Sequence, residues 1–420
     1  MSKRARSRSL SGRVAVRQAG SYHDGPCPAA RLRSWRGGRR ISYGVGMPRP
    51  IVLFGATGYT GRLTAEALVA RGARPILCGR DSSRVADLAD NLGGLPSRTA
   101  DASDPSSVLA AVEEDGVVIS TVGPFVQYGA AAIEAAIAKR ATYLDSTGEH
   151  VFTRVVADTW GPQAEGRCAL FTAFGFDYVP GQVAGALALQ AAGPDATSVE
   201  IGYFPTGEQG GHQVSSGTKA SIARMAASTG FSFTDGSLRK ARIAEKVLSF
   251  DYEGSDHRAL SVSGTEHLFL PDSFPNLCTV QVGLGMPGIP VRAVSAASML
   301  TAPLLRVKFL DPVVSRLTAG MRNTTGEGPD EAARDLTGSD VAAVVRADDG
   351  TILARQLMRG PNAYDLTADL LAWGAIRASE HLFDGTGALG PVGAFGLSEC
   401  VEGLGSGGMV PVSWSHPFSE

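Results

Sequence analysis

The feature that most constrains the fold lies in residues 50–72. Residues 51–54 (IVLF) form an apolar run that is too short for a helix, which predicts a strand buried on both faces. Three glycines, Gly55, Gly58 and Gly61, follow at a spacing of three, and residues 63–71 then have helical periodicity that ends at Gly72. The stretch therefore predicts a strand, a glycine turn and a helix.

Such a turn suits a dinucleotide, because a pyrophosphate needs bare backbone N–H groups and the positive end of a helix at close range, where a Cβ atom would obstruct it. Glycine triplets also arise by chance in a chain with 52 glycines, but the position of this one between a strand and a helix makes it specific. The alternative is a tight turn without a ligand. The predicted cofactor-binding residues of the turn are Gly55, Ala56, Thr57, Gly58, Tyr59, Thr60 and Gly61.

The end of the second predicted strand, residues 75–78, should select the dinucleotide. NAD sites carry an acid there for the ribose hydroxyls, whereas NADP sites carry a cation for the 2′-phosphate. The first side chain after Gly79 is Arg80, which favours NADP over NAD. Asp81 leaves two interpretations open, a cap of the next helix or a ribose ligand.

Strand and helix patterns alternate throughout residues 50–180, which we take as the NAD(P)-binding domain. Alternation of this kind predicts an α/β fold with a Rossmann-type doubly wound parallel sheet, whose ligands collect at the carboxyl ends of the strands. Asp101 follows the third strand and would either reach the adenine edge or cap a loop. Further predicted cofactor residues follow the fourth strand, on the nicotinamide side: Thr121, Gly123 and Pro124.

The alternation of strand and helix patterns ends after residue 180. Strand patterns at 198–204 and 278–282, and a hairpin of 341–346 with 351–357, predict an inserted second mixed α/β domain over residues 181–360, for substrate binding or dimerisation. We expect residues 361–400 to pack back on the first domain and residues 401–420 to form a loose tail. A homodimer is an expectation that the sequence does not decide.

Residues 1–49 contain twelve Lys or Arg residues and one acid, have no sustained periodicity and lack the apolar segment of a secretory signal. They predict a basic disordered leader, and because Met47 directly precedes the first strand, we hypothesise that translation starts there. The rest of the chain has 27 basic and 40 acidic residues, which argues against a nucleic-acid partner.

An apolar stretch at residues 293–305 is, at thirteen residues, shorter than the roughly 20 that cross a bilayer. It predicts a buried helix or, alternatively, an interfacial helix assisted by Arg306 and Lys308. We therefore expect a cytoplasmic protein, with peripheral membrane contact as the alternative. The five cysteines include no pair at metal-ligand spacing, so no metal site is predicted.

Several motifs together resemble the saccharopine dehydrogenase-like oxidoreductases, and within them the actinobacterial group named trans-acting enoyl reductases. The resemblance extends over about residues 50–397 and rests on segments 55–61 (GATGYTG), 78–80 (CGR), 122–125 (VGPF), 143–149 (YLDSTGE), 175–180 (GFDYVP) and 393–396 (GAFG). It implies an NADP-dependent reduction of the C=C bond of a lipid or polyketide-type substrate, presented as a small molecule or a carrier-linked acyl group. Alternatives are a saccharopine-type imine or amino-acid reductase and a non-catalytic NADP-binding scaffold.

Hydride transfer needs a nearby acid to deliver a proton. Five candidates follow strand ends, each with a capping or packing role as its alternative: Tyr128, Asp145, His150, Asp177 and Tyr178. Lys219, in segment 210–219, would bind an anionic substrate group such as a carboxylate or a carrier phosphate, or else belong to a solvent loop. A hydrolase is disfavoured because the chain has no glycine-x-serine-x-glycine elbow.

Overall fold

The computed structural model describes residues 47–207, 229–286, 291, 292, 295 and 328–414. The predicted leader up to residue 46, Lys219 and residues 293–305 apart from Ser295 lie outside this part of the chain.

A seven-stranded parallel sheet is built mainly from the first third of the chain. Its order is β15-β6-β5-β4-β1-β2-β3, so the direction of strand succession reverses between β1 and β4. In open α/β sheets, ligands bind at the carboxyl ends of the strands at such a reversal. The strands are β1 (Ile51–Phe54), β2 (Ile76–Gly79), β3 (Ser97–Thr99), β4 (Val117–Ser120), β5 (Thr142–Asp145), β6 (Ala169–Phe171) and β15 (Gly387–Ala388).

Helices connect and cover these strands. Their starts follow local side-chain chemistry in several cases: the Asp104 carboxylate accepts from Ser106 N, and the Asn362 amide oxygen accepts from Tyr364 N and Asp365 N. The helices of the first half are α1 (Tyr59–Ala70), α2 (Ser82–Asn91), α3 (Pro105–Ala111), α4 (Phe125–Lys139), α5 (His150–Val155), a π-helical turn (Val156–Trp160), α6 (Gly161–Ala164) and α7 (Val179–Ala192). Later helices are α8 (Glu266–Ser273), α9 (Glu331–Asp335), α10 (Ala363–Ser379), α11 (Pro391–Phe395) and α12 (Leu397–Ser406).

A second, mixed sheet follows α7. Its main path is β10-β11-β12-β7-β13-β14-β16, in which β12 and β7 are parallel and the other neighbours are antiparallel, while a β8–β9 hairpin pairs with β12. The strands are β7 (Ser198–Gly207), β8 (Thr229–Thr234), β9 (Ser237–Arg242), β10 (Val247–Tyr252), β11 (Ser255–Val262), β12 (Thr279–Gly285), β13 (Thr337–Arg346), β14 (Ile352–Pro361) and β16 (Val410–Val412). Because β15 returns to the first sheet after β14, the second domain is inserted, and the predicted fold class is confirmed.

One apolar core joins the two sheets. It contains Leu53 of β1, Val183 of α7, Ile201 of β7 and Leu371 of α10, all fully buried, so the two domains share their main hydrophobic cluster. Helix α10 packs along α1 on the first sheet and also touches β14 of the second. No helix within the described ranges is long and apolar enough to cross a bilayer.

The C-terminal segment differs from the predicted loose tail. Helix α12 extends through Ser406, and β16 pairs with β14 through Leu357 and Val412. The prediction of a loose tail is wrong for residues 401–412, because Leu404 and Met409 are buried in the shared core. Residues 415–420 lie outside the described ranges.

Candidate cofactor and active site

Gly55 allows the chain to turn tightly after β1. Gly55 has φ +91°, a backbone conformation that disfavours a Cβ, and its N–H and that of Ala56 donate to Cys78 O of the neighbouring strand at 2.8 and 3.1 Å. A Cβ on Gly55 would lie 2.7 Å from Thr121 Oγ1. The end of β1 therefore sits tightly between β2 and β4.

Gly61 and Gly58 serve different purposes. A Cβ on Gly61 would lie 2.2 Å from Gly55 O, so the glycine lets helix α1 pack directly on the turn. A Cβ on Gly58 would meet only Gly55 O at 3.3 Å within the described surroundings, and Gly58 itself is exposed. No side chain caps α1. The turn thus leaves open backbone at the start of a 12-residue helix, which fits a dinucleotide pyrophosphate.

Several groups of the turn are engaged within the protein. Ala56 is fully buried, and the backbone carbonyl of Thr60 accepts from Thr64 Oγ1 within α1. The Tyr59 hydroxyl donates to Pro329 O and accepts from Arg334, while its ring meets Tyr364 edge-on at 5.0 Å. Tyr59 can therefore offer its backbone to a cofactor, and its side chain ties the turn to the segment that precedes β13.

At the end of β2, the structure favours one of the two interpretations of Asp81. Its carboxylate accepts from Arg84 N at 3.1 Å and from Ser83 Oγ at 2.8 Å, so Asp81 caps α2. These hydrogen bonds, first that of the Arg84 backbone, lower the pKa of the carboxyl. Arg80 is exposed at the tip of the strand.

Asp101, predicted to reach the adenine edge or cap a loop, has the geometry of a loop cap. Its carboxylate accepts from Ser103 N and Ser103 Oγ at 2.8 and 2.7 Å. These hydrogen bonds lower the pKa of Asp101, and the charge of nearby Arg80 lowers it further. Arg80 directly follows β2, and Asp101 follows β3, so both lie at the sheet edge where the adenosine half of a dinucleotide would lie.

On the other side of the turn are Thr121 and the residues after it, which the sequence predicts at the nicotinamide end. Thr121 Oγ1 donates to Gly55 O at 3.1 Å, which fixes β4 to the glycine turn. The Gly123–Pro124 peptide is cis, and Gly123 is exposed. The Glu149 carboxylate, 3% exposed, accepts from Phe125 N at 2.9 Å and Val126 N at 3.2 Å and so occupies the N-terminus of α4.

The surroundings of three proton-donor candidates, Asp145, His150 and Tyr128, suit a structural role. Asp145 is fully buried and accepts from Thr147 N and Ala173 N at 2.9 and 2.8 Å; burial raises the pKa of its carboxyl to about 6. His150 is buried against the ring of Phe231, and burial lowers its pKa to about 4.

Tyr128, the third candidate of this kind, lies half-buried in the first turn of α4, where its hydroxyl accepts from Gln127 Nε2 at 2.9 Å. Asp145 and His150 are buried away from solvent, and the Tyr128 hydroxyl is paired with the side chain of its neighbour Gln127.

Asp177 differs from these candidates. It lies in the turn between β6 and α7, at the junction of the two domains, with its carboxylate against Gly148 of the first domain. The side chain is open to solvent, yet the surrounding protein removes enough hydration to raise the pKa to about 6. The adjacent Tyr178 is buried and donates to Gly148 O at 3.3 Å.

Two residues that the sequence analysis did not identify complete this cluster. The Tyr203 hydroxyl of β7 donates to Glu266 Oε1 of α8 at 2.6 Å and accepts from Gly181 N at 2.9 Å. Glu266 is fully buried, and burial raises its pKa to about 8, with the charge of Asp177 acting in the same direction. Glu266 Oε2 is buried without a hydrogen-bond partner in the described ranges.

No sequence signal pointed to Glu266, because only tertiary packing brings α8 against the turn that carries Asp177. The same holds for Tyr203, which lies in a run of buried residues of β7 that reads as an ordinary core strand. The site therefore consists of an open glycine turn, an exposed arginine at the adenosine end, and a cluster of carboxyl and phenol groups beyond the ends of β5 and β6.

Together, the doubly wound sheet and the open glycine turn define a nicotinamide dinucleotide-binding domain. Residues 51–169 match the family model of the saccharopine dehydrogenase NADP-binding domain.

Parts of the chain are also similar in sequence to mycobacterial proteins. The chain is 38% identical over 174 residues to a putative trans-acting enoyl reductase of Mycobacterium tuberculosis, an alignment that covers 38% of this chain and 42% of the relative. It is 42% identical over 137 residues to a trans-acting enoyl reductase of Mycobacterium leprae, covering 31% of this chain and 33% of the relative. The matched stretches thus span less than half of these relatives.

A solved structure extends the likeness of the fold. Apo saccharopine dehydrogenase (L-Glu forming) from Saccharomyces cerevisiae aligns with 87% of this chain and 100% of its own, at a TM-score of 0.55 and 12% identity. At that identity, the likeness concerns the fold alone.

Proposed function

We propose that this protein is an NADP-dependent oxidoreductase that reduces the C=C bond of an enoyl group in a lipid or polyketide-type substrate, presented as a small molecule or on a carrier. The observation that carries the proposal is the open glycine turn at the start of α1, in a domain of the saccharopine dehydrogenase NADP-binding family. The names of the mycobacterial relatives support the enoyl group as the acceptor.

The preference for NADP rests on the end of β2. Arg80 is exposed there and is near Asp101, so its guanidinium can pair with a 2′-phosphate. Asp81 is the acid that could hold ribose hydroxyls in an NAD site, but its carboxylate already accepts from the backbone of α2 and from Ser83. Arg80 thus favours the 2′-phosphate of NADP, and the engaged carboxylate of Asp81 does not favour the ribose hydroxyls of NAD.

The bound cofactor would supply a hydride to the β-carbon of the enoyl group. The π bond then breaks, and the α-carbon takes a proton from an acid of the protein. Asp177 is suited to hold that proton, because its side chain is open to solvent at the domain junction and its pKa is raised to about 6. Gly148, at the end of the β5 strand, lies beside the carboxylate and leaves room that a larger residue would fill.

Cofactor binding is tested by titrating the protein with NADPH and with NADH while following the fluorescence of the reduced nicotinamide. Arg80→Ala should weaken NADPH binding by about tenfold or more, since it removes a charge-assisted contact to phosphate, and should leave NADH binding nearly unchanged. Arg84→Ala is the matched control, because it removes a neighbouring exposed cation but keeps the backbone N–H that donates to the capping Asp81 carboxylate. Equal loss in the two variants, or no binding of either nucleotide, would reject the assignment.

Catalysis is tested with an enoyl thioester and NADPH, following nicotinamide oxidation. Turnover by the wild-type protein and its loss in Asp177→Asn, with NADPH affinity retained, are the expected results. As Asp177 deprotonates, the rate should decline when pH rises above about 6. Cofactor binding without turnover on any acyl or imine acceptor would instead support a scaffold.

A further inference from the structure

A basic pocket of about 210 Å³ lies beside the candidate site, in the second domain. It opens between the β8–β9 hairpin, the start of β10 and β11. Its lining carries four cationic side chains and one carboxylate among the described residues: Arg239, Lys240, Arg242, Lys246 and Glu245. That carboxylate accepts from Arg242 N at 2.9 Å and so is engaged in the local turn.

Two buried donors in the pocket lining lack acceptors. Gln281 is 7% exposed, and its Nε2 has no hydrogen-bond partner in the described part of the chain. Arg239 Nε is likewise buried without a partner there, although its terminal nitrogen pairs with Asp235 at 3.1 Å. A buried donor without an acceptor is destabilising, and a ligand with several acceptor oxygens would satisfy both donors.

The pocket adjoins the end of the first sheet where the nicotinamide would lie. Phe231, in the pocket wall, packs against the ring of His150, which begins α5 directly after the loop that follows β5. Ser263 and His267 also line the pocket, and between them in the sequence Glu266 accepts from the Tyr203 hydroxyl, which lies 3.3 Å from Tyr178 O, next to Asp177. A ligand in the pocket would therefore be next to the reacting end of the site.

The adenosine half of the cofactor lies elsewhere. Arg80 follows β2, and the sheet order puts β2 and β3 at the opposite end from β5 and β6. The 2′-phosphate of NADP is thus separated from this pocket by β1 and β4. An anion in the pocket would belong to the second substrate.

We infer that this pocket binds a phosphate ester of the acyl substrate, such as the phosphate of a phosphopantetheine arm that carries the enoyl thioester. This inference rests on the proposed function and specifies its substrate class. Cationic side chains and neutral N–H donors together suit a tetrahedral oxyanion, whose oxygens accept several charge-assisted hydrogen bonds. The small volume suits the phosphate and its immediate neighbours, with the acyl end left to extend toward Asp177.

The test is calorimetric titration of the protein saturated with NADP⁺, using 4′-phosphopantetheine, pantetheine and inorganic phosphate as probes. The phosphorylated compound should bind about tenfold or more tightly than pantetheine. Arg239→Gln combined with Lys246→Gln should abolish that difference, and Lys240→Gln, which changes one exposed cation at the pocket, should reduce it while posing less risk to folding.

The control combines Lys139→Gln with Arg167→Gln, two cations that lie near the amino ends of β5 and β6, on the opposite edge of the first sheet. This variant should bind the phosphorylated probe like the wild type. Equal binding of phosphopantetheine and pantetheine, or equal losses in the pocket and control variants, would overturn the inference. Inorganic phosphate that binds as tightly as phosphopantetheine would overturn the assignment to an ester.

NADPH titration of the same variants separates this inference from the proposed function. Unchanged NADPH binding with lost discrimination between the two pantetheine probes supports the pocket. If the wild type fails to bind NADPH, the proposed function fails, whatever the pantetheine probes do.

Discussion

Gly58 and Gly61 stand three residues apart in one turn and have different surroundings. The open face of Gly58 is where a pyrophosphate would approach, whereas Gly61 is pressed on Gly55 O. The same added methyl group should therefore act on ligand binding at one position and on folding at the other.

Gly58→Ala should keep a melting temperature close to that of the wild type and lose at least tenfold in NADPH affinity, because its Cβ meets protein only at 3.3 Å but obstructs the ligand. Gly61→Ala should destabilise the fold by roughly 2–4 kcal/mol, since its Cβ would overlap backbone at 2.2 Å. Thermal unfolding and NADPH titration of the two variants check this pair. A stable Gly61→Ala protein would contradict it.

Glu266 should make stability depend on pH. Its pKa is raised from 4.5 to about 8 in the folded chain, so the folded protein keeps a proton that the unfolded chain releases. The resulting stabilisation is present below about pH 4.5 and is lost as pH rises toward 8.

Between pH 5 and 8 the wild type should therefore lose roughly 2–4 kcal/mol more stability than Glu266→Gln, as measured by denaturant unfolding. The comparison with the variant matters because Asp145 and Asp177, both with pKa raised to about 6, contribute in the same direction. Identical pH profiles would show that the Glu266 carboxyl titrates normally.

At the scale of elements, the loop after β5 fixes the start of α4. Glu149 accepts from Phe125 N and Val126 N, so a side chain from one loop caps a helix that follows another strand. This contact holds the residues directly after Gly123 and Pro124, which are predicted to lie at the nicotinamide end.

Glu149→Ala should lower stability by about 2 kcal/mol, since it leaves one buried and one partly buried N–H group without this acceptor, and it should also weaken NADPH binding. Glu149→Gln, which keeps one acceptor oxygen, should recover part of both losses. Unfolding and fluorescence titration of both variants measure this. Full stability in Glu149→Ala would exclude the capping role.

The elements of the first domain were predictable, and several of the second were not. Buried runs such as IVLF at residues 51–54 indicate parallel strands by themselves, and the predicted strands of the first sheet match to within a few residues at their carboxyl ends. The β8–β9 and β10–β11 hairpins were missed. Their turns carry Asp235-Gly236 and Glu253-Gly254, all with positive φ, and Asp-Gly is a recognisable hairpin signal.

Only those parts of the candidate site that are formed by residues close together in the sequence could be predicted. The glycine turn and Arg80 follow from the order of residues in one strand-turn-helix unit. The Asp177–Glu266 contact depends on the packing of α8 against the turn before α7, which no local pattern encodes. The same reason explains the error for residues 401–412, whose order comes from contacts with α10 and β14.

At the scale of the whole molecule, the shared core should make unfolding cooperative. Apolar residues of both sheets belong to one buried cluster through α7 and α10, rather than to two separate cores. Scanning calorimetry should give a single transition whose calorimetric and van't Hoff enthalpies agree, and a saturating cofactor should move the whole transition upward. Two resolved transitions, only one of them shifted by NADP⁺, would indicate independent domains.

The last strands of both sheets have a consequence for biosynthesis. Strand β15 at residues 387–388 completes the first sheet, and β16 at residues 410–412 completes the second. Neither sheet can acquire these described strands until residues 387–412 have emerged from the ribosome. The cofactor domain therefore cannot mature as an independent N-terminal unit during translation, and a nascent chain stalled before residue 387 would expose the apolar edge that β6 presents to β15.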